Sequence, residues 1–244
     1  MSSKLNNARV ILMAGGRGTR LLPLTTVLPK PLLPLGDKAI LEILLGQLKE
    51  NGFHDVTICT GYLKQLIMVV AGDGSKFGMN IDYHSEESPL GTAGAIAGLD
   101  NLTDPFIVMN GDLLTSLNYG RMYDYHQSSN ADLTIGVYFR EVKIDFGVVK
   151  TTESGEFEGF DEKPVYPMRV SMGVNVLAKS VIDLIPKGSY MDMPDLVKAV
   201  HSNGGKIACY EEDCYWLDIG RMDDYALAQE QFENNSELFG VSSK

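Results

Sequence analysis

The chain has 244 residues, 44% of them hydrophobic, and a formal net charge of −11. That is enough apolar material for one substantial core, and the acidic surplus excludes nucleic acid and anionic membrane as partners, because both would be repelled. Cys59, Cys209 and Cys214 show neither framework nor zinc-ligand spacing, which fits a reducing compartment.

In chain order, residues 1–9 are polar, carry no signal-peptide core and lead straight into an apolar strand at 10–13. No run reaches the ~18 apolar residues of a membrane span, so a cytoplasmic protein is expected. The first strand ends in Gly15-Gly16-Arg17-Gly18-Thr19-Arg20, where glycines let backbone N–H groups approach a phosphate closely. Lys30 follows, held out of a helix by Pro29 and Pro31. A helix is predicted over 39–51, a strand over 56–60, a helix over 63–70 and a short strand over 81–84. Then comes Pro89-Leu90-Gly91-Thr92-Ala93-Gly94, continuing as a helix over 95–99.

A strongly apolar strand at 105–109 delivers Asn110-Gly111-Asp112 to its carboxyl end, where open α/β sheets bind their ligands. A helix over 119–128 and a strand over 133–139 follow. The segments 147–151 and 156–160 read as an antiparallel pair turned at Glu153-Ser154-Gly155. The remaining elements are a strand at 173–177, helices at 180–185 and 193–203, strands at 206–210 and 215–217, and an amphipathic helix at 223–233. The alternation argues for an α/β fold, with residues 1–244 as a single domain whose stretches 1–9 and 234–244 are frayed tails.

The familiar nucleotide fingerprints fail here. There is no G-x-x-x-x-G-K-[ST], GGRGTR does not satisfy G-x-G-x-x-G, and Asp145-Phe146-Gly147 has no kinase catalytic loop around it. The ordered set does carry a signal. Gly15-Gly16-x-Gly18-Thr19-Arg20-Leu21, Pro29-Lys30-Pro31, Pro89-Leu90-Gly91-Thr92-Ala93, Asn110-Gly111-Asp112, Glu162-Lys163-Pro164 and Trp216-Leu217-Asp218-Ile219-Gly220 together resemble the sugar-1-phosphate nucleotidyltransferases. The resemblance covers roughly residues 10–233, and is closest in look to the guanylyltransferases acting on mannose-, heptose- or hexosamine-type phosphates.

The resemblance implies a Rossmann-like three-layer α/β/α sandwich with a mostly parallel mixed central sheet and a small antiparallel sugar-binding subregion. It also implies a Mg2+-dependent reaction of a nucleoside triphosphate with a sugar-1-phosphate, giving a nucleotide-sugar for glycan biosynthesis and pyrophosphate. In-line displacement at the α-phosphorus needs positioning, a divalent ion and cations rather than a covalent nucleophile. Arg20 and Lys30 then face the triphosphate, with Arg17 in support, and Lys163 faces the sugar phosphate. Asp112 and Asp218 hold Mg2+, whose preference is for hard carboxylate oxygens. Met13, Ala14, Gly15, Gly16, Gly18, Thr19, Glu86, Pro89, Gly91, Thr92 and Gly111 bind the nucleotide. Gly147, Glu162, Lys163, Gly173, Val174 and Asn175 bind the sugar.

Glu86 bears on the base. A carboxylate only accepts hydrogen bonds, which suits the donor edge of guanine, so GTP is favoured. Some uridylyltransferases carry a carboxylate in that neighbourhood too, and a thymidylyl- or uridylyltransferase is the main alternative. A non-catalytic regulatory relative would be expected to have lost Arg20, Lys30, Asp112 or Asp218, and all four are present. The four histidines make no metal or nucleophile pattern, and Trp216 is expected to pack beside Asp218 and position it. The chain ends soon after the last motif, so the C-terminal β-helix of some relatives is not expected. Relatives often form dimers or tetramers, which leaves a homo-oligomer open; the sugar is not encoded by single residues.

Overall fold

A computed structural model describes residues 5–85 and 88–240. Its centre is strand β1 (Arg9–Ala14), whose Val10, Ile11 and Leu12 are fully buried. A strand flanked on both sides needs apolar residues on both faces, which is why this run is continuous rather than alternating. On one side lie β2 (Asp55–Thr60) and then β3 (Asn80–Ser85), both parallel; on the other lies β4 (Phe106–Asn110), also parallel.

Beyond β4 the seven-stranded sheet continues with β9 (Val165–Leu177), β6 (Leu133–Lys143) and β10 (Ile207–Glu211). Only β9 runs against the rest. Val10, Leu12 and Ala14 join one apolar cluster with helices α1 (Ile40–Glu50), α2 (Lys64–Ala71), α4 (Tyr119–Ser129) and α6 (Met222–Asn234). Ile11 and Val108 face a second cluster with the short α3 (Gly91–Gly94) and α5 (Met193–Ser202). Helices on both faces of a mostly parallel sheet make the three-layer sandwich that the sequence implies.

The strand expected at 133–139 continues to Lys143, and that expected at 173–177 is the inner end of a 13-residue strand. Their outer halves pair with each other as an arm, from Val165↔Lys143 to Ser171↔Val137. Charged residues and Pro167 interrupt the apolar pattern there, so the segment does not read as a strand. Between Ser171 and Asn175, β9 advances four residues while β6 advances two. Gly173, at φ 72°, supplies the left-handed residue that this irregularity requires. The expected hairpin is present as β7 (Val148–Thr151) and β8 (Phe157–Asp161). The helices expected at 95–99 and 180–185 are tighter 3-10 turns, Ala95–Gly98 and Lys179–Leu184.

Parts of the stretches expected to fray are anchored in the core, although Asn7, Glu237, Leu238 and Gly240 are exposed. Leu5 and Ala8 are buried. Phe239, in the 3-10 turn Ser236–Phe239, is 1% exposed and packs against Phe232 and Tyr215 with ring centroids 6.0 and 5.4 Å away. A single large apolar side chain in a polar stretch is enough to anchor it.

Candidate active site

The carboxyl end of β1 opens into the glycine turn. Gly18 sits at φ 62°, and its carbonyl accepts a 2.8 Å hydrogen bond from the Thr25 hydroxyl. A Cβ on Gly18 would lie 2.8 Å from Thr25 Cγ2, so the turn is closed from behind by a contact that only glycine permits. A Cβ on Gly16 would meet nothing within 4 Å, so this face of the turn stays open to a ligand. Tyr62, just beyond β2, braces the turn from the side. Its hydroxyl donates to the Thr26 carbonyl at 2.9 Å, and its ring lies 5.9 Å from the Arg17 guanidinium carbon.

Lys30 opens the 3-10 turn Lys30–Leu32, which Pro29 enters in extended conformation and which buried Pro31 and Leu32 anchor. Its side chain is 11% exposed and makes an ion pair with Asp112, while Asp218 Oδ1 stands 4.0 Å from the same nitrogen. Asp112 follows Gly111, whose N–H donates to the Met13 carbonyl at 2.9 Å; a Cβ on Gly111 would crowd that same oxygen. Asp218 ends β11 (Trp216–Asp218), which pairs antiparallel with β5 (Leu113–Thr115) in the register Asp218↔Leu113. The Ile219 N–H donates to the Asp112 carbonyl at 3.1 Å, so backbone pairing brings the two acids to one rung. A Cβ on Gly220 would lie 3.6 Å from Arg20 Nη1, so the fourth expected residue stands against the same rung.

Partial burial raises the Asp218 pKa, and the charge of Asp112 raises it further, while Lys30 and Arg20 pull it back. Asp112 Oδ1 is buried and unpartnered. A buried acceptor without a donor is costly, and two carboxylates straining against each other around one ammonium are suited to a hard divalent cation. No group of three or more His, Cys, Asp or Glu converges among the described residues, so such a cation would need further oxygens from a bound phosphate.

Beside this rung lies a cleft of about 510 Å3. Met13, Asn110, Gly173, Asn175 and Asp218 line it from the strands and their ends, and Thr92 of α3 lines it together with Met193, Pro194, Val197 and Lys198 of α5. Gly173 is required here, because a Cβ would lie 2.5 Å from Asn110 Nδ2. Val174 is fully buried in the core, so only its backbone is available to a ligand. Trp216 also lines the cleft; its indole N–H donates to the Met172 carbonyl at 2.9 Å and its ring lies 5.3 Å from that of Tyr138.

The structure therefore gathers Arg20, Lys30, Asp112 and Asp218, and sets Met13, Thr92, Gly173 and Asn175 in the adjoining cleft. Gly147, Glu162 and Lys163 stand outside that lining, on the arm and its hairpin. A Cβ on Gly147 would lie 2.2 Å from the tip of the exposed Phe160 ring, which would have to swing aside to admit it. Lys163 has φ 45°, an uncommon backbone state for a side chain of its kind. Glu86 lies outside the described residues. Tyr62, Asp192 and the α5 wall were not identified from the sequence; Met193 and Val197 show a helical i, i+4 spacing that reads only as core.

The nucleotidyl transferase family profile matches residues 9–235. Over 221 residues the chain is 34% identical to a mannose-1-phosphate guanylyltransferase of Mycobacterium tuberculosis, covering 88% of this chain and 62% of the relative. It is 30% identical over 237 residues to a UTP–glucose-1-phosphate uridylyltransferase of Synechocystis, covering 89% of this chain and 61% of the relative. The chain thus spans about three fifths of the length of these relatives. Among solved structures, HddC from Yersinia pseudotuberculosis matches with a TM-score of 0.69 at 26% identity, covering 92% of this chain and 99% of that one. No helix among the described residues is long and apolar enough to cross a membrane. With the matched profile spanning nearly all of the sandwich and every residue of the charged rung, the chain belongs to the nucleotidyl transferase family.

Proposed function

We propose that this chain is one nucleotidyltransferase domain that transfers a nucleoside monophosphate from a nucleoside triphosphate to a sugar-1-phosphate, releasing pyrophosphate. The observation that carries this reading is the convergence of Arg20, Lys30, Asp112 and Asp218 beside the open face of the Gly15–Gly16 turn. The triphosphate lies along that turn, and its base reaches the Pro89–Thr92 segment. A phosphate oxygen of the sugar phosphate attacks the α-phosphorus, and the bond to the bridging oxygen of the leaving pyrophosphate breaks. Arg20 and Lys30 stabilise the charge that gathers there; one such preorganised contact is worth about 10²–10³ in rate.

Asp112 and Asp218 would hold Mg2+, supported by the unpartnered Asp112 Oδ1 and the mutual repulsion of the two acids. When bound, the ion supplies Lewis-acid neutralisation of the phosphate oxygens. Lys163 and Glu162 on the arm meet the sugar phosphate and the sugar hydroxyls, while Gly173 and Asn175 form the back of the sugar pocket. GTP is the favoured donor: Glu86 suits guanine, and the relatives include mannose-1-phosphate guanylyltransferases at 34% and 29% identity. The uridylyltransferase relative keeps UTP as the competing reading. Such a reaction belongs where nucleoside triphosphates are plentiful, in the cytosol.

The test is pyrophosphate release across a panel of sugar-1-phosphates with GTP, UTP, dTTP, ATP and CTP, each with Mg2+. Release with GTP and a mannose-, heptose- or hexosamine-type phosphate is expected. UTP or dTTP outcompeting GTP by about tenfold, a preference of ~1.4 kcal/mol, would refute the guanine assignment.

A further inference from the structure

Two segments a hundred residues apart are zipped together at the nucleotide side of the cleft. The Ala93 and Gly94 N–H groups both donate to the Met191 carbonyl at 2.9 Å, and the Met191 N–H donates back to the Leu90 carbonyl at 2.9 Å. Gly91 sits at φ 78°, and a Cβ there would lie 2.5 Å from the Met191 carbonyl and 2.8 Å from Asp192 Oδ1. Glycine is thus demanded both by its conformation and by the approach of the second segment.

Asp192 is the N-cap residue of α5, where an aspartate side chain ordinarily accepts from its own helix. Here it does not. Its Oδ1 accepts instead from the Thr92 N–H at 3.1 Å, across to the Gly91–Gly94 turn. The exchange is reciprocal, since the Thr92 hydroxyl accepts from the Met193 N–H at 2.8 Å at the start of α5. The second carboxylate oxygen takes a 2.6 Å hydrogen bond from the exposed Tyr190 hydroxyl. That bond, with those from Thr92, holds the Asp192 carboxyl below its ordinary range.

We propose that Asp192, clamped by Tyr190, is a positioning residue for the nucleotide: it fixes the Pro89–Thr92 segment against α5 so that Thr92 and Gly91 present a rigid wall to the base. The proposal rests on the reading above that this segment meets the nucleotide. A side chain that gives up its own cap to order a neighbouring turn trades local helix stability for the placement of that turn. Its removal loosens one half of the cleft and leaves the charged rung untouched, because Asp192 contacts none of Arg20, Lys30, Asp112 or Asp218.

The test is calorimetric titration of GTP, and of UTP as a second probe, into wild type, Asp192→Ala, Asp192→Asn and Tyr190→Phe, alongside steady-state kinetics. Asp192→Ala should weaken nucleotide binding by about tenfold, with the KM for the sugar-1-phosphate and the kcat at saturating nucleotide within about twofold. Asp192→Asn keeps an acceptor for the Thr92 N–H and should recover most of that loss, and Tyr190→Phe should weaken binding by about two- to threefold. Unchanged affinity in Asp192→Ala, equal loss in the Ala and Asn variants, or wild-type protein that binds neither nucleotide would overturn the proposal. If Asp192→Ala does not fold, Tyr190→Phe decides: unchanged affinity refutes the positioning role and weakened affinity supports it. Wild type that binds nucleotide, with the Asp192→Ala loss, but releases no pyrophosphate from any pair would refute the proposed activity and leave this inference standing.

Discussion

The glycine turn with its charged rung and the arm that carries Glu162 and Lys163 are built in contrasting ways. At the rung, Lys30 is nearly buried and already engaged with Asp112, Thr25 locks Gly18, and backbone pairing sets Asp218 beside Asp112. On the arm, Phe146, Val149, Phe157, Phe160, Val165 and Met168 are all exposed, and Lys163 makes no ion pair among the described residues. Preorganised charge belongs where negative charge accumulates on the leaving group, because ordering it before the reaction avoids reorganisation during it. The arm, proposed to grip the sugar phosphate, is held in no such frame, and its lysine stands in a strained backbone state instead.

The largest break in that contrast comes at the rung. Asp112→Asn should lower kcat by at least about 10²–10³ while the protein stays folded, because Lys30 keeps Asp218 within 4.0 Å as a partner. Lys30→Met should lose a similar factor and also destabilise the fold by roughly 3–5 kcal/mol, since it strands a mostly buried carboxylate. Denaturant unfolding of the two variants separates these outcomes; equal stabilities would contradict the account of Lys30 as the bridge.

On the arm, Lys163→Ala should raise the KM for the sugar-1-phosphate by about tenfold or more and leave nucleotide affinity unchanged, with no loss of stability. A parallel loss of nucleotide affinity, read by titration, would erase the division into halves.

Asp218 sharpens the contrast through pH. Its folded pKa is raised, so its contribution to stability is full below the unfolded carboxylate range, where 3.8 is the ordinary value, and is lost as pH rises through the raised value. At neutral pH the ionised group therefore works against folding. Asp218→Asn should raise the Tm at neutral pH, abolish turnover, and lose its advantage over wild type as pH falls toward about 4. Thermal unfolding across that range checks the sign. A smaller effect is expected of Lys163→Gly, which relieves the positive φ and should add up to about 1 kcal/mol of stability while raising the KM for the sugar-1-phosphate as Lys163→Ala does.

The same two regions differ in how far they can be read from residues alone. The turn and its cations are legible because their chemistry is local. Glycines at fixed spacing, a lysine between prolines and an aspartate after Asn-Gly each state their conformational need within a few positions. The arm is not, because its strands are held by each other rather than by an apolar core. Tyr138 to Lys143 and Val165 to Ser171 hold no buried position, only exposed and half-buried ones, so no period marks them. Tyr62 and Asp192 escape for another reason: each acts through a contact made across the fold, with Thr26 and Thr92, and neither partner is near in sequence. Phe239 shows the opposite error, since a polar neighbourhood conceals one anchoring ring.

The central claim is that the rung moves a nucleotidyl group onto a sugar phosphate rather than onto water. It is tested most directly by single-turnover pyrophosphate release from GTP and Mg2+, with and without the best sugar-1-phosphate from the panel. The account predicts rapid release only when both substrates are present, matched one for one by nucleotide-sugar, and release slowed by at least about a hundredfold in Asp112→Asn. Release at the same rate without the sugar phosphate, or at the wild-type rate from Asp112→Asn, would contradict it.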